Sequence, residues 1–263
     1  MSKPNRYQAI IEKIFTTHFD ESTEFEFDRD ELIAVAAELN IDLPKNLGDL
    51  IYSFRYRNEL PESITSTATN DREWIIEGAG RAKYRFKQVR LSKIEPRPEL
   101  ITIKIPDSTP EIISAYALSD EQALLAVVRY NRLIDVFLGI TAYSLQNHLR
   151  TTVKDVGQIE IDEIYVGLDR QGRQFVVPVQ AKGGSDKHGI VQSQQDIACC
   201  EQKFPGLICR AVSAQFMNEE IIALFELTLF DGEVKVIDEK HYKLVPSVSI
   251  TDEELQRYST LPE

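Results

Sequence analysis

The chain of 263 residues is poor in cysteine, in basic charge and in long apolar runs. Three cysteines, two of them the adjacent Cys199 and Cys200, cannot build a disulfide framework, and adjacency is poor spacing for zinc. A reducing cytoplasm is the simplest setting for such usage. No stretch approaches the ~20 apolar residues of a membrane span, and the opening MSKPNRYQ has no signal-peptide apolar region. Internal repeats and low-complexity segments are lacking as well. Only 30 Lys/Arg stand against 42 Asp/Glu, and the net charge of −12, taken alone, argues against a polyanionic partner.

What is present describes an ordinary globular protein, with 43% hydrophobic and 27% charged residues and length enough for one large domain or two. The scarce positive charge is unevenly spread. Between Lys45 and Arg97 eleven Lys/Arg face seven Asp/Glu, and from Arg81 to Arg97 seven face Glu95 alone. Ile10, Ile11, Ile14 and Phe15 recur at helical spacing within 5–19. After a short acidic and aromatic stretch, Asp28 and Glu31 read as the capping box of a second helix over 28–39. A third helix is expected over 44–57, with Pro44 in its first turn. Trp74-Ile75-Ile76 and Tyr84-Arg85-Phe86 then read as two short strands around Gly78-Ala79-Gly80. Three helices and a hairpin are the order of a winged helix, so residues 1–95 are expected to form a winged-helix-like DNA-binding domain. Lys45, Asn46, Arg55 and Arg57 of its third helix and Lys83, Arg85 and Lys87 of its hairpin are the candidate DNA contacts.

Prolines at 96, 98, 106 and 110 mark the passage to a second domain over 96–263. Its pattern predicts an edge strand at 101–105 and helices at 119–132 and 133–150, the first capped by Ser119 and the second weakened at Gly139. A hairpin at 158–182, a helix at 190–203, strands at 207–214, 220–230 and 233–236, and a last helix at 252–258 follow. On the 190–203 helix, Ile190, Val191, Ile197 and Ala198 are expected inward with Cys199 and Cys200 as core fillers, and Gln192, Gln194, Gln195 and Asp196 outward. His148 and His188 lack the spacing of a metal pair and read as surface or phosphate-contact residues.

The hairpin carries the chemistry. Alternation places Glu160 and Asp162 on one face of its first strand, and Gln180 and Lys182 on one face of its second. Antiparallel pairing would bring a carboxylate, an amide oxygen and an ammonium to one spot. Asp162, the Gln180 side-chain oxygen and the Ala181 backbone carbonyl are hard oxygen donors suited to Mg²⁺, with Glu160 as a candidate further ligand. Lys182 beside them can position a water and offset charge growing on phosphorus, which points to metal-assisted phosphodiester hydrolysis. Glu121, at a helix start, reads as a capping or dipole residue.

Asp162 followed after seventeen residues by Gln180-Ala181-Lys182, with Gly183-Gly184 and a glutamine-bearing helix behind, resembles the PD-(D/E)XK nuclease superfamily, which includes most type II restriction endonucleases. The resemblance covers roughly 119–236. It implies an α-β-β-β-α-β core, hence a mixed α/β (α+β) chain whose restriction-endonuclease-like sheet is flanked by helices. It also implies Mg²⁺ as cofactor with Mn²⁺ as substitute, double-stranded DNA as substrate, and a cognate DNA methyltransferase as genetic partner. Cutting both strands with one site per chain favours a homodimer. Gln180 stands where the family usually has Glu or Asp, and Ile161 where its signature has Pro. An amide oxygen is a weaker, uncharged ligand, so the alternative expectation is a catalytically weak or inactive nuclease-fold DNA-binding or regulatory protein. A plain interaction module is the third.

Overall fold

The computed structural model describes residues 6–56, 58–69, 71–90, 93–116, 121–154, 156–183, 188–217 and 220–260. The chain is mixed α+β, with a large mixed sheet flanked by helices and a smaller three-stranded sheet near the N-terminus. The N-terminal part runs α1 (Gln8–His18), β1 (Glu24–Asp28), α2 (Arg29–Glu38), α3 (Leu47–Tyr56), a single turn α4 (Glu62–Thr65), β2 (Glu73–Gly78) and β3 (Lys83–Val89). Its antiparallel sheet has the order β1-β3-β2, which with α1 to α3 is a winged-helix-like arrangement. Alternation in EFEFD turns Phe25 and Phe27 inward, where they join Phe15, Trp74 and Phe86 in an aromatic core. This strand lies in the stretch read above as acidic and aromatic. Glu31 returns to accept the Asp28 amide at 2.7 Å, as the capping box requires. The third helix begins at Leu47 rather than Pro44, because the Asn46 side chain accepts the Gly48 amide at 3.1 Å and starts it there.

The rest runs β4 (Lys93–Ile94), β5 (Thr102–Pro106), α5 (Glu111–Tyr116), α6 (Glu121–Tyr130), α7 (Leu133–Leu138), β6 (Thr141–Val153), β7 (Gly157–Leu168), β8 (Gln174–Lys182) and β9 (His188–Gly189). It continues with α8 (Ile190–Lys203), β10 (Ile208–Cys209), β11 (Ala211–Phe216), β12 (Ile221–Phe230), β13 (Glu233–Val245), a 3₁₀ turn (Ser247–Ser249) and α9 (Asp252–Tyr258). The large sheet has the order β5-β13-β12-β11-β8-β7-β6, with β10 also beside β8. β6, β7 and β8 form an antiparallel meander, and α8 crosses over to β11, which lies parallel to β8. α6 and α7 cover one face through Leu124, Leu125, Val128 and Phe137. α8 covers the other, and its Ile190, Val191 and Ile197 also meet Ile75, Val89 and Ile94 of the N-terminal part. β4 pairs with β9, Gln215 donates to the Ile94 carbonyl at 3.0 Å, and Glu239 holds Arg97 at 2.7 Å, so the connecting segment is tied to the large sheet.

One expected helix is a strand. The helix read over 133–150 ends at Leu138, where Gly139 takes a left-handed φ of 63° and donates to the Asp135 carbonyl. Residues Thr141–Val153 then form the longest strand on that side of the sheet. As an edge strand with a bulge between Ser144 and Gln146 it is exposed along most of its length, so no clean alternation marks it in the sequence. The strand expected over 233–236 likewise extends to Val245.

Candidate active site

β7 and β8 part company at Asp162. Their ladder ends at the pair Glu163 and Val179, and beyond it the Asp162 carboxylate, not a strand carbonyl, accepts the Ala181 amide at 2.9 Å. An extended residue turns its N–H and C=O to the same side, so the Ala181 carbonyl looks into the same gap. One oxygen of Asp162 is thus engaged and the other is left for a ligand. Burial and the nearby Glu121 charge raise the Asp162 pKa from its ordinary value, against the pull of the Ala181 amide and Lys182. Such a carboxylate is in want of a cation. Lys182, at the end of β8, is mostly buried and places its Nζ 3.3 Å from Oε1 of Glu121, the first turn of α6. Glu121 therefore does more than cap a helix; it holds the lysine.

Gln180 is placed differently from expectation. Its side chain is fully buried and faces α8. Its Nε2 donates to the Glu160 carbonyl at 3.0 Å and to Asp196 Oδ1 at 3.2 Å, while its Oε1 accepts from Gln192 Nε2 at 2.7 Å. A backbone carbonyl can only accept, which fixes the orientation of the amide. The Gln180 oxygen is therefore spent on Gln192 and is not offered to the gap beside Asp162. Glu160 is also turned elsewhere: it meets His148 at 3.3 Å and Arg150 at 3.1 Å on β6. Burial raises its pKa, but Arg150 and His148 outweigh that and hold it below the usual range.

Two residues read as outward-facing are buried. Asp196 is 2% exposed beneath Gln180, and burial, reinforced by the Asp162 charge, pushes its pKa well up despite the Gln180 hydrogen bond. His188 is 1% exposed, 3.2 Å from Ser193 Oγ, and burial with the Lys182 charge pushes its pKa down to about 3. Asp196 was missed because it closes the polar run Gln192 to Asp196, which on a one-sided helix would face water. α8 is covered on two sides, so Ser193 and Asp196 are buried and Gln192, Gln194 and Gln195 half-buried. Cys199 and Cys200 are buried as expected.

The residues fit a Mg²⁺ ion that keeps much of its water. Such an ion needs only one or two carboxylates and takes its remaining oxygens from water and substrate phosphate. Asp162 and the Ala181 carbonyl are the available donors, and among the described residues no three His, Cys, Asp or Glu cluster as a closed metal cage.

The candidate DNA contacts divide. Arg55 donates from Nε to the Ile76 carbonyl at 2.8 Å and lies over Tyr84, which makes it a strut between α3 and β2. Arg85 is bound by Glu26 at 2.6 Å and Glu77 at 3.4 Å. Lys83 has Asp28 opposite it and Glu26 at 4.0 Å, and Lys87 stands opposite Glu24. The basic stripe of β3 is thus interleaved with the acids of β1 and β2. Asn46 is occupied in capping α3. Lys45 and, at the hairpin tip, Arg81 and Lys83 remain exposed, whereas Arg57 lies outside the described residues. The chain matches no protein-family model, no curated protein and no solved structure.

Proposed function

We propose that the chain is a Mg²⁺-dependent DNA endonuclease of restriction type that cuts double-stranded DNA. The observation that carries this reading is Asp162 accepting the Ala181 amide where β7 and β8 diverge, with Lys182 next in the chain and held by Glu121. Three antiparallel strands, a crossover helix and a parallel fourth strand around that point support the resemblance to the PD-(D/E)XK nucleases. The acidic member missing from β8 has a counterpart one layer back, in Asp196 on α8.

Hydrolysis requires a water oxygen to attack phosphorus while the bond to the 3′ oxygen breaks and that oxygen gains a proton. Asp162 and the Ala181 carbonyl would hold Mg²⁺, which supplies Lewis-acid polarisation of the phosphate and acidifies a bound water. Lys182 Nζ, fixed by Glu121, orients the attacking water and offsets the charge gathering on the phosphorane. Gln180 positions Asp196 and closes the floor of the gap. Mn²⁺ serves in place of Mg²⁺, a homodimer delivers two sites to the two strands, and a DNA methyltransferase protects the host's own sites. Exposed Lys45, Arg81 and Lys83 supply phosphate contacts.

The second reading is a nuclease-fold DNA-binding protein without strong catalysis, favoured by the engagement of the Gln180 oxygen with Gln192. Mixed-sequence plasmid DNA incubated with the pure protein and Mg²⁺ or Mn²⁺ separates the two. Discrete fragments that disappear with Lys182→Ala and Asp162→Asn support the enzyme. Salt-sensitive binding without any cleavage leaves the second reading, and no binding at low salt removes both.

A further inference from the structure

On the face of the large sheet away from α8, a cavity of about 380 Å³ opens between α6–α7 and the β6–β7 hairpin. Small-molecule pockets begin at ~300 Å³, so the cavity is large enough for a small ligand. Its apolar lining comes from Val128, Ile134 and Ala142, and its aromatic lining from Tyr143 and Tyr165. The Tyr165 side chain is 3% exposed; its hydroxyl sits beside Glu163 and Arg129 but makes no well-formed hydrogen bond among the described residues. Glu163 is wholly buried beside it; its Oε1 accepts from Arg129 Nε at 2.8 Å and Ser144 Oγ at 2.5 Å, and the Tyr165 hydroxyl is its other polar neighbour. Tyr143 is 59% exposed, and Arg132, also lining the cavity, pairs through Nη2 with Asp135, itself a lining residue.

These groups describe a flat ring with polar edges and an anionic substituent. Tyr143 offers an aromatic face for stacking, Tyr165 a hydroxyl that can donate or accept at the ring edge, and Arg132 a cation. A bare anion would leave the apolar and aromatic lining without contact, and an aliphatic ligand would leave the buried hydroxyl unmatched.

We propose that this cavity binds a nucleobase carrying a phosphate, its ring against Tyr143 and its polar edge at the Tyr165 hydroxyl, the occupant being an unstacked nucleotide of the DNA substrate. The DNA source rests on the nuclease reading above; the pocket chemistry does not. Two elements connect the cavity to the Asp162 gap. Tyr165 is three residues from Asp162 along β7, roughly 10 Å, which is about three base steps of a DNA strand. α6 holds Lys182 through Glu121 and lines the cavity with Arg129, whose Nη2 also reaches Asn147 on β6 at 3.2 Å. A base drawn out of the stack into the cavity would be read by its edge, and its presence would register on the helix that fixes the lysine.

The test uses the full chain and the four 2′-deoxynucleoside 5′-monophosphates, with binding followed by calorimetry at millimolar ligand. At least one should bind, Tyr143→Ala should weaken it roughly tenfold, Tyr165→Phe should lower affinity with the fold intact by circular dichroism, and Asp162→Asn should leave it unchanged. Displacement of the bound monophosphate by short single-stranded DNA assigns the site to a nucleotide of DNA. Binding that single-stranded DNA does not displace overturns the DNA occupant and leaves a free-nucleotide site. Absence of binding by all four monophosphates, or equal binding by wild type, Tyr143→Ala and Tyr165→Phe, overturns the proposal even if plasmid is cut. Monophosphate binding lost in Tyr143→Ala, with plasmid uncut under every metal condition, upholds the pocket and removes the nuclease reading instead.

Discussion

The Gln180 carboxamide nitrogen lies 3.2 Å from Asp196 Oδ1, and both side chains are buried. β8 therefore presents a donor to an acid on the next helix, where a second carboxyl group on β8 would lose the amide donor and have to share a proton with that acid. The pair makes the glutamine a structural requirement of this chain.

Gln180→Glu should accordingly destabilise the metal-free protein. It removes two donated hydrogen bonds and sets a carboxylate beside Asp196 and the Glu160 carbonyl, a loss of about 2–4 kcal/mol. Mg²⁺ or Mn²⁺ should recover part of it, read as a larger metal-induced rise in melting temperature than wild type shows.

Lys182→Ala should lower cleavage by roughly 10²–10⁴-fold with little change in melting temperature. Glu121→Gln should cost less, because the lysine keeps its charge and loses only its anchor. A loss in Glu121→Gln equal to that of Lys182→Ala would give the carboxylate a direct part in the chemistry.

His188 ties stability to acid. Its folded pKa, about 3, is below that of the unfolded chain, so its contribution is present above the unfolded value of 6.5 and is lost as pH falls through the folded one. The unfolded chain gains a proton in that window that the folded chain refuses. Over the window the loss is on the order of 5 kcal/mol, and His188→Gln should flatten the denaturation midpoint between pH 6.5 and 3 relative to wild type.

The arginines of the N-terminal part should separate by role. Arg55→Ala leaves the Ile76 carbonyl without its donor and should destabilise by about 1–3 kcal/mol, with DNA affinity falling only as the fold does. Lys45→Ala and Arg81→Ala should leave the melting temperature alone. Each should reduce the salt slope of DNA binding by about 1, measured by fluorescence anisotropy over a range of salt.

Gly167→Ala should part the β6–β7 hairpin. A Cβ there would meet the Thr141 carbonyl oxygen at 2.7 Å and Ala142 Cα at 3.2 Å, both backbone. Overpacking of this kind costs about 1–3 kcal/mol, visible in chemical denaturation.

Much of the fold was legible wherever apolar spacing or a capping signal marks an element's extent. The Ile190–Lys203 helix and the Asp252–Tyr258 helix stand where the pattern puts them, the latter with Thr251 and Glu254 closing a capping box. β1 and β6 were not legible, the first for its five residues and the second for its wetness on both faces. Within the site, Asp162 and Lys182 could be read from the hairpin's alternation. The Gln180, Gln192 and Asp196 cluster could not, since a sequence does not tell that a helix is covered twice. The basic count of the hairpin was likewise visible, but its neutralisation needed the register of β1 against β3.

The two ends of the large sheet meet the hazard of every open sheet, that a foreign strand can add to it. At β5 the last helix lies alongside: Tyr258 Oη takes the Lys104 amide at 3.0 Å, and Glu254 holds Lys104 Nζ at 2.8 Å. Among the described residues no strand pairs with the outer edge of β6; it is instead bent by its bulge and by His148 at a φ of 48°. Those irregularities keep thirteen residues of exposed edge from serving as a template for aggregation, and a His148→Val change that straightened the strand would put solubility at risk before it touched any chemistry.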